Sequence, residues 1–150
     1  MTTTPAAPTT NGRVIALAHY AARTVLESVL TRHGTTFHQS VTLRSVTLAG
    51  GSVTPDRLVA DVINSLKIEE SAVREVIDEM TASKLLEPDP TDPTHLHLTP
   101  TGRELLDTTT AETAEISARL YADIPAEDLA AAGRVLNLLT ERANAELARV

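Results

Sequence analysis

From Leu129 onward the apolar residues Leu129, Ala132, Leu136, Leu139, Ala143, Leu147 and Val150 recur every three or four positions. That period describes an α-helix with one continuous apolar stripe, and a stripe more than three turns long has to be covered by another helix. One subunit of 150 residues cannot cover it alone, so the stripe predicts a homodimer.

Upstream, the same period appears repeatedly. Val14, Leu17, Ala21, Val25 and Val29 mark a helix over 13–33 that Gly34 ends. Val41, Leu43, Val46 and Leu48 mark a second over 39–49, broken by Gly50-Gly51. Thr54-Pro55-Asp56, a capping residue followed by proline at the first helical position, opens a third that runs to about Lys67. Ser71, Val73, Val76, Ile77, Met80 and the Leu85-Leu86 pair describe a fourth and its exit, and two helices so close together suggest a helix-turn-helix. The pattern then changes. Three prolines and two aspartates fill 87–94, and His95-Leu96-His97-Leu98 alternates with a period of two, as in a short hairpin or wing. Thr99-Pro100 repeats the cap-and-proline start and opens a helix to about Tyr121, and Asp123 to Pro125 separates it from the last.

Composition narrows the chemistry. Aromatic residues make up only 2% and there is no Trp, so the core is built from Leu, Val, Ile and Ala, which suits helix packed on helix. With no Cys, there is neither a thiolate metal site nor a Cys nucleophile, and a cytoplasmic protein is expected. The opening MTTTPAAPTTNG has neither a basic start nor an apolar run, so residues 1–12 read as a disordered tail rather than a signal peptide, and no stretch is apolar enough to span a membrane. No phosphate-binding glycine loop, His-Glu-x-x-His or nucleophile elbow occurs, so no catalytic, cofactor or metal residue is assigned, and a conventional enzyme is not expected.

The stretch LLEPDPTDPTHLHLTPTGREL, residues 85–105, resembles the end of the recognition helix, the wing and the Leu-Thr-x-x-Gly pattern of the MarR family of winged helix-turn-helix regulators; here that pattern is Leu98, Thr99 and Gly102. HGTTFHQSVTLRSV, from His33, and IPAEDLAAAGRVLNLL, from Ile124, are similar to the family's second helix and the start of its last. The resemblance implies a mainly α fold with a small β-wing, a single domain over 13–150. By it residues 39–98 form the winged lobe, with 71–84 the recognition helix and 87–97 the wing, and helices 13–33 and 100–149 dimerise. It also implies operator DNA and a small-molecule ligand as partners. Ser71, Arg74 and Lys84 become candidate DNA contacts, the first two equally readable as a helix N-cap and a solvated side chain. His19, Tyr20, His33, Phe37 and His38 resemble the lining of the family's ligand pocket, though each is also an ordinary helix-surface residue. His95 and His97 share a strand face, open to metal or pH response or to plain surface exposure.

Charge sets a second function class beside the first. Residues 53–98 hold Arg57, Lys67, Arg74 and Lys84 against ten carboxylates, a net of −6 within a chain of net −7. Asp92 is followed by Pro93, Thr94 and His95, so the family's basic wing tip is absent. Such a surface repels phosphate. The two expectations are a ligand-responsive DNA-binding regulator, and a fold of the same kind that has lost DNA and uses its pocket to bind or transform a small molecule or haem-like cofactor.

Overall fold

The structure is a computed structural model and describes residues 6–150. It contains α1 (Gly12–Arg32), α2 (Phe37–Leu48), β1 (Ser52–Val53), α3 (Pro55–Leu66), α4 (Glu70–Ala82), β2 (Leu86–Asp89), β3 (Asp92–Leu98), α5 (Pro100–Leu120) and α6 (Ala126–Leu147). Mainly helical with a small wing, it has the fold class that the periodicities predict. Of the tail expected over 1–12, residues 1–5 lie outside the described residues, 6–11 carry no helix or strand, and α1 begins at Gly12 with the Asn11 side chain accepting from the Val14 amide.

Local chemistry places the other boundaries. α2 starts at Phe37 rather than Gln39, because Thr36 and Gln39 form a reciprocal capping box in which Gln39 is the third helical residue. Thr54 caps α3 as its sequence announces, its hydroxyl oxygen accepting from the Arg57 amide. α4 starts at Glu70 behind a Glu69 cap that makes no side-chain bond, so Ser71 is not the N-cap. α6 ends at Leu147, which leaves Val150 beyond the helix and off the predicted stripe. The periodicity did not mark β1, a two-residue strand too short to show alternation.

The chain divides into two compact units, the second being Ala114–Val150. In the first, α2, α3 and α4 pack on an antiparallel sheet of order β1-β3-β2, with Ser52 opposite His97 and Glu87 opposite His97 from the other side. Its core joins Leu43 and Val46 of α2, Leu58, Val59 and Val62 of α3, and Val73, Ile77 and Met80 of α4 to Val53, Leu86, Leu96, Leu98 and Leu106. None of these is aromatic, as the scarcity of aromatics requires. The second unit holds the end of α5, a turn through Asp123 and α6. No residue of α6 is buried, and Leu136 and Leu139 remain 43% and 42% exposed. Among the described residues no helix is long and apolar enough to cross a membrane.

The exits of α4 and of the wing are fastened at one point. The Thr99 hydroxyl donates to the Lys84 carbonyl at 2.6 Å and accepts from the Gly102 amide at 3.0 Å, while the Thr99 amide donates to the Leu85 carbonyl at 3.1 Å. Gly102 is required there because a Cβ would overlap the same Leu85 carbonyl oxygen. Ala normally gains about 1 kcal/mol over Gly inside a helix. Here overpacking against backbone costs roughly 1–3 kcal/mol. Gly102→Ala is therefore expected to lower the urea midpoint without changing the slope; a variant as stable as the parent or more so would show that the approach is not as close as described.

Candidate nucleic-acid interface

α4 buries Val73, Ile77 and Met80 at helical spacing, and this turns Glu70, Ser71, Arg74, Glu75, Asp78 and Glu79 outward. α3 feeds it through Lys67, whose left-handed backbone (φ 55°) caps α3 and redirects the chain. The outward face is acidic except for Ser71 and Arg74, and Arg74 is occupied. Its Nη2 donates to Glu70 Oε1 at 3.0 Å and to Asp56 Oδ1, in the first turn of α3, at 3.3 Å. The bonds to Glu70 and then Asp56 raise the guanidinium's already high pKa. Arg57 is paired with Asp61 at 3.1 Å, and the Lys67 ammonium donates to Asn64. Lys84 is exposed in the left-handed turn that ends α4 (φ 58°). Ser71 is exposed on the first turn. The structure thus sets Ser71 and Arg74 on one helix face and Lys84 past its far end.

The wing's acids build its turn. Asp89 Oδ2 accepts from the Ser52 hydroxyl at 2.6 Å and Oδ1 from the Thr91 amide and hydroxyl at 2.9 and 2.8 Å. Asp92 accepts from the amide and hydroxyl of Thr94 in the same way. His95 and His97 each have a carboxylate of their own, Asp92 at 2.8 Å and Glu87 at 2.9 Å. Among the described residues no three His, Asp or Glu side chains converge as metal ligands. A groove of about 270 Å³ runs beside this face, lined by Pro55, Arg74, Ile77, Asp78, Thr81 and Leu96.

The five pocket candidates fall into three contacts. His19 and Tyr20 lie exposed on α1 with ring centroids 5.7 Å apart. Phe37 and His38, on the first turn of α2, have centroids 6.1 Å apart, and the Arg23 guanidinium stacks 4.1 Å above Phe37. His33, the C-cap of α1, bonds Glu112 Oε1 of α5 at 2.9 Å, and Arg32 takes the other oxygen at 3.0 Å. These bonds, His33 first, lower the Glu112 pKa. Sequence reasoning missed Arg23 and Glu112. Arg23 stands four positions after His19 and was findable by helical spacing, whereas nothing local connects His33 to Glu112.

No protein-family model and no curated protein sequence matches the chain. Solved structures do. CouR from Rhodococcus jostii RHA1, bound to p-coumaroyl-CoA, aligns at TM-score 0.72 with 17% identity over 86% of this chain and 90% of its own. BpsR of Bordetella bronchiseptica, whose DNA binding is regulated by 6-hydroxynicotinic acid, aligns at 0.68 with 22% identity over 89% and 98%. A cysteine mutant of MarR from E. coli, complexed with operator DNA, aligns at 0.68 with 18% identity over 85% and 91%. The chain has the MarR winged-helix fold. Within the MarR fold α4 stands where the resemblance puts the recognition helix, two residues shorter at its end than the expected 71–84, and β2–β3 is the wing.

The wing turn gives a pH dependence of definite sign. The Ser52 hydroxyl, then the Thr91 amide and hydroxyl, hold Asp89 down to about 2. A depressed folded-state pKa contributes stability above the unfolded value of about 3.9 that is lost as pH falls through about 2. Carboxyl-carbon NMR is expected to titrate Asp89 near 2, and Ser52→Ala to move it toward 3.9; a midpoint near 3.9 in the parent protein contradicts the turn described.

Proposed function

We propose that the chain is a ligand-responsive transcriptional regulator of the MarR family that acts in the cytoplasm as a homodimer on double-stranded operator DNA. The observation that carries this is the outward face of α4 beside the β2–β3 wing, in a fold shared with a regulator held on its operator. In this reading the first turns of α4 enter a major groove, Ser71 and Arg74 contact phosphate or base edges, and Lys84 and the wing reach the flanking backbone. The pocket is read as Phe37 and His38 under Arg23, with His19, Tyr20 and His33 around it. Its ligand is a small molecule, as with CouR and BpsR. Ligand and DNA then oppose each other through a reciprocal coupling between the two sites. Dimerisation is supported by apolar side chains left uncovered in both units: Val14, Leu17 and Tyr20 on α1, and Val135, Leu136, Leu138 and Leu139 on α6.

A second reading is favoured by one specific observation, the net −6 of residues 53–98 together with the pairing of Arg74 and Arg57. In it the fold has left DNA and keeps only the pocket. Fluorescence anisotropy with labelled genomic fragments at low salt separates the two. Binding that weakens on Arg74→Ala supports the regulator, and absence of binding at any salt supports the second reading.

The dimer is tested independently. Leu136→Asp with Leu139→Asp places two charges where apolar burial is expected, a cost of several kcal/mol. Light scattering is expected to find the parent at twice the 16.0 kDa chain mass and the double variant at that mass; a monomeric parent overturns the assembly.

A further inference from the structure

Both acceptors of Arg74 sit on the same nitrogen. A guanidinium presents two donor pairs suited to bidentate bonding, Nε with Nη2 and Nη1 with Nη2. Nη2 belongs to both. In this chain Nη2 bonds Glu70 Oε1 at 3.0 Å and Asp56 Oδ1 at 3.3 Å, so the nitrogen that both pairs share is taken by two carboxylates. Either donor pair therefore lacks one member, and neither the O6/N7 edge of guanine nor two oxygens of a phosphate can be gripped while the carboxylates stay. The two acids come from different elements, Glu70 one turn before Arg74 on α4 and Asp56 on the first turn of α3. Asp56 and Glu70 are themselves well exposed, at 90% and 62% of their side chains, so water can take over from Arg74 as their partner. Exposed ion pairs are weak enough to exchange.

We propose that Asp56 and Glu70 form an intramolecular gate on Arg74, occupying the nitrogen it needs for DNA so that duplex binding requires the two carboxylates to be displaced by the nucleic acid. This rests on the regulator reading and adds a control to its interface. The gate differs from the diffuse repulsion of the acidic lobe. Repulsion depends on net charge wherever it sits, whereas the gate depends on Arg74.

A double-mutant cycle separates them. The probe is a fluorescein-labelled 24-base-pair duplex of random sequence at low salt, read by anisotropy, with circular dichroism confirming that each full-length variant folds. Asp56→Asn with Glu70→Gln removes two charges and opens the gate. Glu75→Gln with Glu79→Gln removes two charges from the same helix face without touching Arg74. The gate predicts that the first pair tightens binding on the order of fivefold more than the second. It further predicts that this excess vanishes in an Arg74→Ala background. Equal gains from the two pairs, or an excess that survives Arg74→Ala, overturn the gate while leaving DNA binding in place. No binding by the parent or by any variant overturns the regulator reading itself, and the gate with it.

Discussion

The close approach of Gly102 to Leu85, locked by the Thr99 hydroxyl, is the constraint on which the first unit's arrangement depends. The chain leaves α4 through the left-handed Lys84, runs out along β2, returns along β3, and is then fastened back onto the carbonyls of Lys84 and Leu85. The wing is therefore a closed loop with both ends tied at one point. α5 starts at that same point, with Thr99 as its cap. A displacement of the first turn of α5 cannot be absorbed in a flexible linker and must be shared by the exit of α4 and the base of the wing. A signal carried between a pocket and an α4 surface needs a joint with this property.

Electrostatics in the winged lobe are more structured than a net charge suggests. Asp89 and Asp92 serve as turn acceptors, Glu87 faces His97, Asp61 holds Arg57, and Asp56 and Glu70 hold Arg74. Many of the acids thus have positions to keep, which explains how a lobe of net −6 holds together. The same pairings take up cations that phosphate would need, leaving Lys84 as the basic side chain of residues 53–98 with no ion pair or side-chain hydrogen bond among the described residues.

What could be read in advance followed the range of the forces involved. Thr54-Pro55 and Thr99-Pro100 announce α3 and α5 because a cap and a fixed proline φ act within one turn. The order of helices followed from periodicity, and the Leu-Thr-x-x-Gly pattern carried the family resemblance without describing the joint that Thr99 and Gly102 build. Gln39 was legible as a helical residue, but its role three positions into a capping box set the true start at Phe37. β1 escaped because two residues carry no period. Arg74 was picked out with Ser71 and Lys84 as a candidate DNA contact, yet its pairing with Asp56 crosses 18 positions, and that of His33 with Glu112 crosses 79. Contacts at such separations are products of packing and leave no local mark.

The central claim is that the acidic α3–α4–wing surface, rather than the basic stretch that carries Arg13, Arg23, Arg32 and Arg44, is what meets nucleic acid. Differential hydrogen–deuterium exchange with and without duplex at low salt reads this directly. The account predicts added protection confined to Glu70–Ala82 and Leu86–Leu98, with the first turn of α3 included. Protection over Gly12–Leu48 with none on α4 or the wing would contradict it.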